Sequence, residues 1–247
     1  YGYGVYETLK VRNGVLYFPE LYVERLFHSA EVIGMQIVYS REEIIRFIRA
    51  LVDSVVQDSF NVKMLFVGKE LYIFALNSHY LMEKEYRDGV KVVICEGERQ
   101  FVQAKTLNML MSYLAYTKAK AEGAYDALLV DKDGYVREGT RTNLFFTDGN
   151  KLFTPPLSDV LNGVTRITLL DALQKKGIVV EERMLKLSEL EKYKGYFLTS
   201  TSSKVLPISQ IDGKKVEIPA LVREVMKIYD EYLEEYVKGR KVEALKI

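Results

Sequence analysis

The sequence is poor in the side chains that most often build metal sites and nucleophilic triads. Among its 247 residues there is one cysteine, Cys95, and there are two histidines, His28 and His79. A single thiol forms neither an intramolecular disulfide nor a paired-thiol metal site, and two imidazoles exclude a three-histidine centre. We therefore predict no bound metal and a reducing, cytoplasmic location, with any catalysis carried by Lys, Glu, Tyr or a cofactor.

The sequence also lacks an excess of charge and a long apolar run. Thirty-five Lys and Arg residues stand against 34 Asp and Glu, a formal net charge of +1, so there is no general basic field to attract nucleic acid. No stretch approaches the roughly 20 apolar residues of a membrane span, and no signal peptide opens the chain. We predict neither nucleic-acid nor membrane partners. Because the chain starts at Tyr1 inside a strand-like segment, we expect the native start upstream.

Hydrophobic patterning divides the chain into two α+β halves. The Asn13-Gly14 pair between strand-like runs predicts a hairpin, and two helical patterns and further short strands follow it. Residues 96–104 are polar and lack periodicity. We therefore predict a smaller N-terminal α+β domain over residues 1–98, a linker over 99–105 and a larger α+β domain over 106–247, in which helices start near Thr106 and Thr165.

Lys105 is a candidate for amine chemistry. It stands just before the helical pattern TLNMLMSYLAYTKAKAEG, whose apolar stripe predicts burial. A positive helix end and apolar neighbours both favour the neutral amine, which is the form that attacks a carbonyl carbon. Most lysines are simply solvated, so the case depends on the neighbouring motifs.

Two segments suit a phosphate group. Backbone N–H groups around Gly163, Val164 and Thr165 open the second predicted helix, and helix N-termini bind anions. The hydroxyl-rich run 199–203 (TSTSS) follows a strand-like segment and predicts a concave turn. Arg25 could add a bidentate charge or pair with a surface carboxylate, and the spacing leaves both interpretations open.

Glu138 completes the set of candidates. It ends a strand-like segment before the residues GTRTN. A carboxylate there could hold a proton on a ring nitrogen, although a Glu at a strand end is more often a solvated charge.

These motifs, in this order, resemble the class IV (fold type IV) pyridoxal-phosphate enzymes, which include branched-chain aminotransferases, D-amino-acid aminotransferases and aminodeoxychorismate lyases. The resemblance runs from Gly2 to about Gly213. It is carried by GYGVYETLKV, ERLFHSAEVIG, KTLNMLMSYLA, AYDALLVDKDGYVREGTRTNLFF, KLFTPPLSDVLNGVTR and YFLTSTSSKVLPISQIDGK.

The resemblance implies a two-domain fold with pyridoxal 5′-phosphate in the cleft between the domains, in a homodimer or larger homo-oligomer. It implies that Lys105 forms the aldimine with the cofactor and moves the proton, and that Glu138 pairs with the pyridinium nitrogen. It further implies phosphate and ring contacts by Arg25, Asn143, Gly163, Val164, Thr165, Ser200 and Thr201, and substrate contacts by Tyr6, Thr201 and Ser202.

The implied reaction is transamination between an amino acid, branched-chain or small aliphatic, and a 2-oxo acid. Two departures bear on the substrate: no Arg-x-His element lies between Val62 and Tyr80, and the Gly68-Lys69-Glu70 loop is short. Three alternatives stay open at this point. They are a 4-amino-4-deoxychorismate lyase that releases pyruvate and 4-aminobenzoate, a D-amino-acid aminotransferase, and a non-catalytic vitamer-binding protein.

Overall fold

The computed structural model describes residues 2–78 and 80–244, with side chains as far as residue 240. Tyr1, on which the expectation of an upstream start depends, and His79 lie outside these described residues. The chain divides into two compact units. The first contains Tyr1–His79, Gln103–Met109 and Leu233–Ile247, and the second contains Tyr80–Val102 and Leu110–Tyr232. Each unit combines helices with sheet, so the α+β prediction is confirmed.

The first unit is a four-stranded antiparallel sheet with two helices against it. The elements are β1 (Val5–Arg12), β2 (Val15–Leu16), α1 (Pro19–Val32), α2 (Arg41–Ser54), β3 (Phe60–Val67) and β4 (Glu70–Leu76). The sheet has the order β2-β1-β3-β4, and the helices contact β1, β4 and each other.

Local sequence explains these elements. The predicted hairpin forms at Asn13 and Gly14, whose φ angles of 51° and 73° match the left-handed pair of a two-residue turn. Helix α1 starts at Pro19, which needs no N–H partner there, and α2 is opened by a Ser40–Glu43 capping box. Alternate β1 and β3 side chains are fully buried and face the helices.

The second unit is built on a larger mixed sheet. Its strands are β5 (Val90–Glu96), β6 (Asp126–Val130), β7 (Val136–Gly139), β8 (Asn143–Thr147), β9 (Leu152–Thr154), β10 (Val180–Glu182), β11 (Gly195–Ser200), β12 (Lys204–Ile211) and β13 (Lys214–Lys215). Its helices are α3 (Glu83–Asp88), α4 (Leu110–Ala121), α5 (Val164–Lys175) and α6 (Ala220–Ala244), the last of which continues into the first unit from Leu233.

The strand order in this sheet is β10-β9-β8-β11-β12-β5-β6-β7. An additional pairing of β7 with β8 closes a ring of strands, and the pairs β12–β5 and β5–β6 are parallel. The apolar core on one side of the sheet contains Leu128, Leu144, Phe146, Tyr196 and Leu198. Closure through β7–β8 brings the end of β7 next to the start of β8, where the polar side chains described below lie.

The observed units differ from the predicted boundary at 99–105. Residues 80–98 belong to the second unit, because β5 pairs in parallel with β6 and β12. The predicted helix start at Thr106 is also wrong. Helix α4 begins at Leu110, because Thr106 bridges to Val5 and the Leu107 N–H donates to the Gly4 carbonyl in extended backbone. Lys105 therefore does not adjoin a helix N-terminus.

The helices of the described chain include none that is both long enough and apolar enough to cross a membrane.

Candidate active site

Lys105 lies in an extended segment that runs beside strand β1. The Tyr6 N–H donates to the Lys105 carbonyl at 3.0 Å, and the Leu107 N–H donates to the Gly4 carbonyl at 2.8 Å. The Lys105 N–H in turn donates to the hydroxyl of Ser29, a fully buried residue of α1, at 3.0 Å. Hydrogen bonds to two elements of the first unit therefore fix the main chain that carries the Lys105 side chain.

The amino group of Lys105 lies over the ring of Tyr6, on the face of the first sheet opposite the buried side chains of β1 and β3. Its Nζ is 4.5 Å from the centroid of the Tyr6 ring, and the Nζ of Lys63 is 5.3 Å from the same centroid. Lys63 is paired with Thr8 across β3 and β1, so its side chain shares a sheet face with Tyr6. A cation over an aromatic face is attracted by about 0.5–1 kcal/mol at an exposed site. Tyr6 thus organises two amines on one surface.

Arg25 forms a buried ion pair with Glu7. Its Nε and Nη2 atoms donate to the two carboxylate oxygens of Glu7 at 2.7 Å each, with side-chain exposures of 9% and 0%. Burial acts to lower the pKa of the Arg25 guanidinium, but the charge and hydrogen bonds of Glu7, together with Tyr22 and Tyr6, raise the pKa above its usual value. The alternative of a surface pairing for Arg25 is therefore wrong, because its partner is a buried carboxylate on β1.

Glu138 lies at the end of β7 and is only 5% exposed, so the alternative of a solvated charge is wrong. The Nε of Arg99 is 3.0 Å from its Oε1, and the Leu161 N–H donates to its Oε2 at 3.2 Å. Arg99 is itself held by donation from Nη2 to the Val102 carbonyl at 2.7 Å. A guanidinium and a backbone N–H group therefore both lie against this buried carboxylate, and contacts of this charge-assisted kind fix its orientation.

Glu138 belongs to a row of buried polar side chains that crosses three strands. It is paired directly with Asn143 of β8, which is paired with Thr199 of β11, and directly opposed residues share a sheet face. Asn143 and Thr199 are 5% and 1% exposed. The Asn143 amide donates to the Leu161 carbonyl at 2.8 Å and to Glu138 at 3.4 Å, whereas the Thr199 hydroxyl has no partner within the described residues. A buried hydroxyl without a protein partner is a group that a polar ligand atom would satisfy.

The N-terminus of α5 lies against this row. Helix α5 begins at Val164, and Gly163 at the N-cap position makes no side-chain capping bond. A Cβ on Gly163 would lie 2.0 Å from the Asn143 Oδ1, so the close approach of loop and strand requires glycine. Val164 and Thr165 are buried in the first turn. The predicted helix start is confirmed to within one residue.

The hydroxyl-rich run forms the tight turn of the β11–β12 hairpin. The Ser200 hydroxyl accepts from the Ser203 N–H at 3.1 Å and shares a hydrogen bond with the Ser203 hydroxyl at 2.7 Å, so it is engaged within the turn. Thr201 is half-buried, and Ser202 is exposed at the tip.

Sequence reasoning missed two charged neighbours of the predicted residues. Lys63 alternates with the buried Val62 and Met64, which places it on the other face of β3, but only the strand pairing brings it to Tyr6. Arg99 falls in the segment interpreted as a linker, and nothing in its spacing points to Glu138, 39 positions further on. For both residues, only the tertiary structure reveals the contact.

Comparison with known proteins places this arrangement in a family. The family model for amino-transferase class IV matches residues 4–211, and the chain therefore belongs to the class IV aminotransferases. It is 30% identical over 234 residues to the D-alanine aminotransferase of Bacillus licheniformis, covering 87% of this chain and 81% of that protein. It is 32% identical to a probable branched-chain-amino-acid aminotransferase of Rickettsia bellii, covering 96% and 87%.

Solved structures share the fold. The branched-chain aminotransferase of the thermophilic archaeon Thermoproteus uzoniensis, determined with norvaline, superimposes with a TM-score of 0.85 at 25% identity, covering 93% of this chain and 85% of that one. A hypothetical aminotransferase from Mycobacterium tuberculosis in its PLP-bound form superimposes with a TM-score of 0.84 at 24% identity, covering 94% and 89%. The chain therefore has the fold type IV architecture, and pyridoxal phosphate is the cofactor of its class.

The residues of this chain fit that cofactor. A buried carboxylate suits a protonated ring nitrogen, an uncapped helix N-terminus suits a phosphate, and a lysine amine suits the aldehyde. Glu138, the Gly163–Thr165 turn and Lys105 supply these three features, and the Thr199 hydroxyl adds a buried polar atom without a partner in the described chain.

Proposed function

We propose that this protein transfers the amino group of a branched-chain or small aliphatic amino acid to a 2-oxo acid. The observation that carries the proposal is the Glu138 carboxylate, which is 5% exposed and paired with Arg99 at 3.0 Å. A carboxylate held in this way would keep a proton on the ring nitrogen of the family's cofactor, and that proton would make the ring an effective electron acceptor.

The chemistry divides between the cofactor and the chain. Pyridoxal phosphate, when bound, supplies an electron-withdrawing ring that stabilises the negative charge left when an amino acid loses its α-proton. Lys105 would supply the amine that holds the cofactor aldehyde, and the same amine would take and return the proton at the substrate Cα. The hydrogen bonds from Tyr6 and to Ser29 hold the backbone of Lys105 while its side chain moves.

We assign phosphate binding to the start of α5, to the β11–β12 turn and to Arg25. The N–H groups of Val164 and Thr165 at the start of α5 would donate to the phosphate. The Gly163 N–H already donates to the Leu161 carbonyl at 2.8 Å, so Gly163 contributes through its close approach to Asn143. Ser200 and Thr201 of the β11–β12 turn complete the assigned set. Arg25 adds a guanidinium that Glu7 holds in one orientation. Asn143 supports the turn by occupying the space beside Gly163.

For the substrate we assign Tyr6, Thr201 and Ser202, and we add Lys63. The Lys63 Nζ lies 5.3 Å from the centroid of the Tyr6 ring, which the Lys105 amine also contacts. A second cation at this ring suits an acceptor that carries a second carboxylate, such as 2-oxoglutarate.

Replacing Lys63 with methionine should raise the KM for 2-oxoglutarate by about 10-fold or more, since a hydrogen bond to a charged group contributes about 1.5–3 kcal/mol. Pyruvate has no second carboxylate and therefore makes no contact with Lys63 that the substitution would remove. Its KM should stay within about twofold of the wild-type value. Steady-state kinetics with both acceptors measures the difference.

Lys69→Met is the matched control, because Lys69 is exposed in the turn of the same β3–β4 hairpin. Equal changes in the KM of both acceptors, or no change in either, would rule out this role for Lys63.

We also propose that the protein forms a homo-oligomer, of which a homodimer is the smallest form. Its proposed location is the reducing cytoplasm, which the single cysteine suggests. Helix α4 supports the oligomer: Leu110, Tyr113 and Leu114 are 68%, 61% and 58% exposed at helical spacing, an apolar stripe that a second copy could cover. Sedimentation equilibrium measures the mass directly.

The test of the function is an absorption spectrum of the cofactor-loaded protein before and after addition of a panel of L- and D-amino acids. We expect a band near the visible edge that shifts with branched-chain or small aliphatic L-amino acids and returns on addition of a 2-oxo acid. A shift with D-amino acids alone would establish the D-specific alternative. Pyruvate release from aminodeoxychorismate without turnover of amino acids would establish the lyase, and the absence of a band after incubation with pyridoxal phosphate would refute the proposal.

A further inference from the structure

A buried carboxylate lies beneath the loop that joins Glu138 to Asn143. Asp126, the first residue of β6, is 0% exposed. Its Oδ1 accepts the N–H of Ala127 at 2.9 Å, the N–H of Thr140 at 3.2 Å and the hydroxyl of Thr140. Its Oδ2 accepts the hydroxyl of Thr142 at 2.9 Å. Three of these four bonds come from one loop, so a single carboxylate anchors that loop from within.

The two ends of this loop are the two polar residues of the candidate site. Strand β7 ends at Gly139 and residues 140–142 connect it to β8, and the residues on either side of the segment 139–142, Glu138 and Asn143, are directly paired. The loop is tight, because the Gly139 N–H donates to the Thr142 carbonyl at 2.8 Å. A Cβ on Gly139 would lie 2.6 Å from Asp126 Oδ2, so the carboxylate occupies the space that a side chain there would need.

We infer that Asp126 is a positioning residue for cofactor binding, which acts by holding Glu138 and Asn143 in register through the loop between them. The inference rests on the proposed function. Glu138 and Asn143 are paired at a single position, so the loop is the local element that sets how β7 and β8 meet. A slip of one residue in a strand turns its side chains to the other face, and a shift of about 1 Å at a site can cost about 100-fold in rate.

Two substitutions separate the effect of the shape of the Asp126 side chain from the effect of its charge. Burial raises the pKa of Asp126, whereas the hydrogen bond from Thr140, the charge of Arg141 and the hydrogen bond from Thr142 lower it. Asparagine at this position keeps one oxygen for the donors of Ala127 and Thr140. Its amide can donate to the Thr142 hydroxyl, which accepts as readily as it donates. Anchoring by shape therefore survives in Asp126→Asn and is lost in Asp126→Ala.

The experiment loads apoprotein with pyridoxal phosphate labelled with ¹⁵N in the ring. It measures the dissociation constant by fluorescence and the protonation of the ring nitrogen by its ¹⁵N chemical shift. For Asp126→Ala we expect a dissociation constant higher by about 10-fold or more, which corresponds to about 1.4 kcal/mol, and a ¹⁵N shift toward the unprotonated value. Asp126→Asn should stay within about threefold, with the wild-type ¹⁵N shift.

Asp131→Ala is the matched control. Asp131 is 5% exposed and follows the other end of β6, where its Oδ1 accepts the N–H groups of Asp133 and Tyr135 at 2.9 Å each in the turn that leads to β7. Its loss should lower stability but leave cofactor affinity and the ¹⁵N shift unchanged.

Wild-type affinity and ¹⁵N shift in Asp126→Ala, or equal weakening in Asp126→Ala and Asp131→Ala, would overturn the inference and leave the proposed function standing. Failure of the wild-type protein to bind pyridoxal phosphate would refute the proposed function, and the inference with it.

Discussion

Replacing Lys105 with alanine should reduce the transamination rate by about 10³-fold or more, because a positioned proton-transfer group alone contributes about 10²–10⁴-fold and the variant also loses the attaching amine. The fold should persist, since the hydrogen bonds of Lys105 to Tyr6 and Ser29 use backbone atoms that alanine retains. Single-turnover conversion of bound cofactor by an amino acid measures the loss, and thermal unfolding checks the fold.

Lys120→Ala serves as the control, because Lys120 is exposed in the last turn of α4. It should leave the rate unchanged. Added methylamine should restore part of the activity of Lys105→Ala, since a small free amine can carry the missing proton. A Lys105→Ala protein that keeps more than about a tenth of the wild-type rate would exclude Lys105 from the roles proposed for it.

Arg25→Met should lower the free energy of unfolding by about 3–5 kcal/mol at neutral pH, the range measured when one partner of a buried ion pair is removed. The physical reason is the carboxylate left behind. Glu7 is 0% exposed and now receives two charged hydrogen bonds at 2.7 Å, so its desolvation would go uncompensated. Urea-induced unfolding followed by circular dichroism measures the change.

Arg41→Met is the comparison, because the Arg41–Glu24 pair has a similar Nε–Oε distance of 2.6 Å but side-chain exposures of 48% and 62%. An exposed ion pair contributes about 0–1 kcal/mol, so Arg41→Met should lower the free energy of unfolding several times less than Arg25→Met does. The double variant Glu7→Gln/Arg25→Met should recover part of the stability, because it removes the buried charge. Equal costs for Arg25→Met and Arg41→Met would show that the Glu7–Arg25 pair has no special role in stability.

Predictions from local sequence succeeded where the determining interactions are local. The Asn13-Gly14 turn formed as predicted, since its left-handed backbone depends on two adjacent residues. The start of α5 was predicted to within one residue, because apolar periodicity within a segment specifies a helix. The ordered motifs identified the family, and the family model matches residues 4–211.

Local reasoning failed where a segment is held by distant residues. The apolar pattern after Lys105 extended the predicted helix back to Thr106, but backbone bonds to Gly4 and Tyr6 keep that stretch extended as far as Leu107. The strand β5 lies in the first half of the chain, yet its partners β6 and β12 lie in the second unit.

The sequence alone determined the kind of elements, the order of motifs and the class of chemistry, because these depend on residue types and on spacing over a few turns or strands. It also named Lys105 and Glu138. Only the tertiary structure decided which charged residues contact the predicted site residues. Arg99 is paired with Glu138, Glu7 is paired with Arg25, and Lys63 lies near the ring of Tyr6. These partners are separated by between 18 and 57 positions in the sequence. Strand register and helix packing bring them together, and neither is encoded in any single segment of the chain.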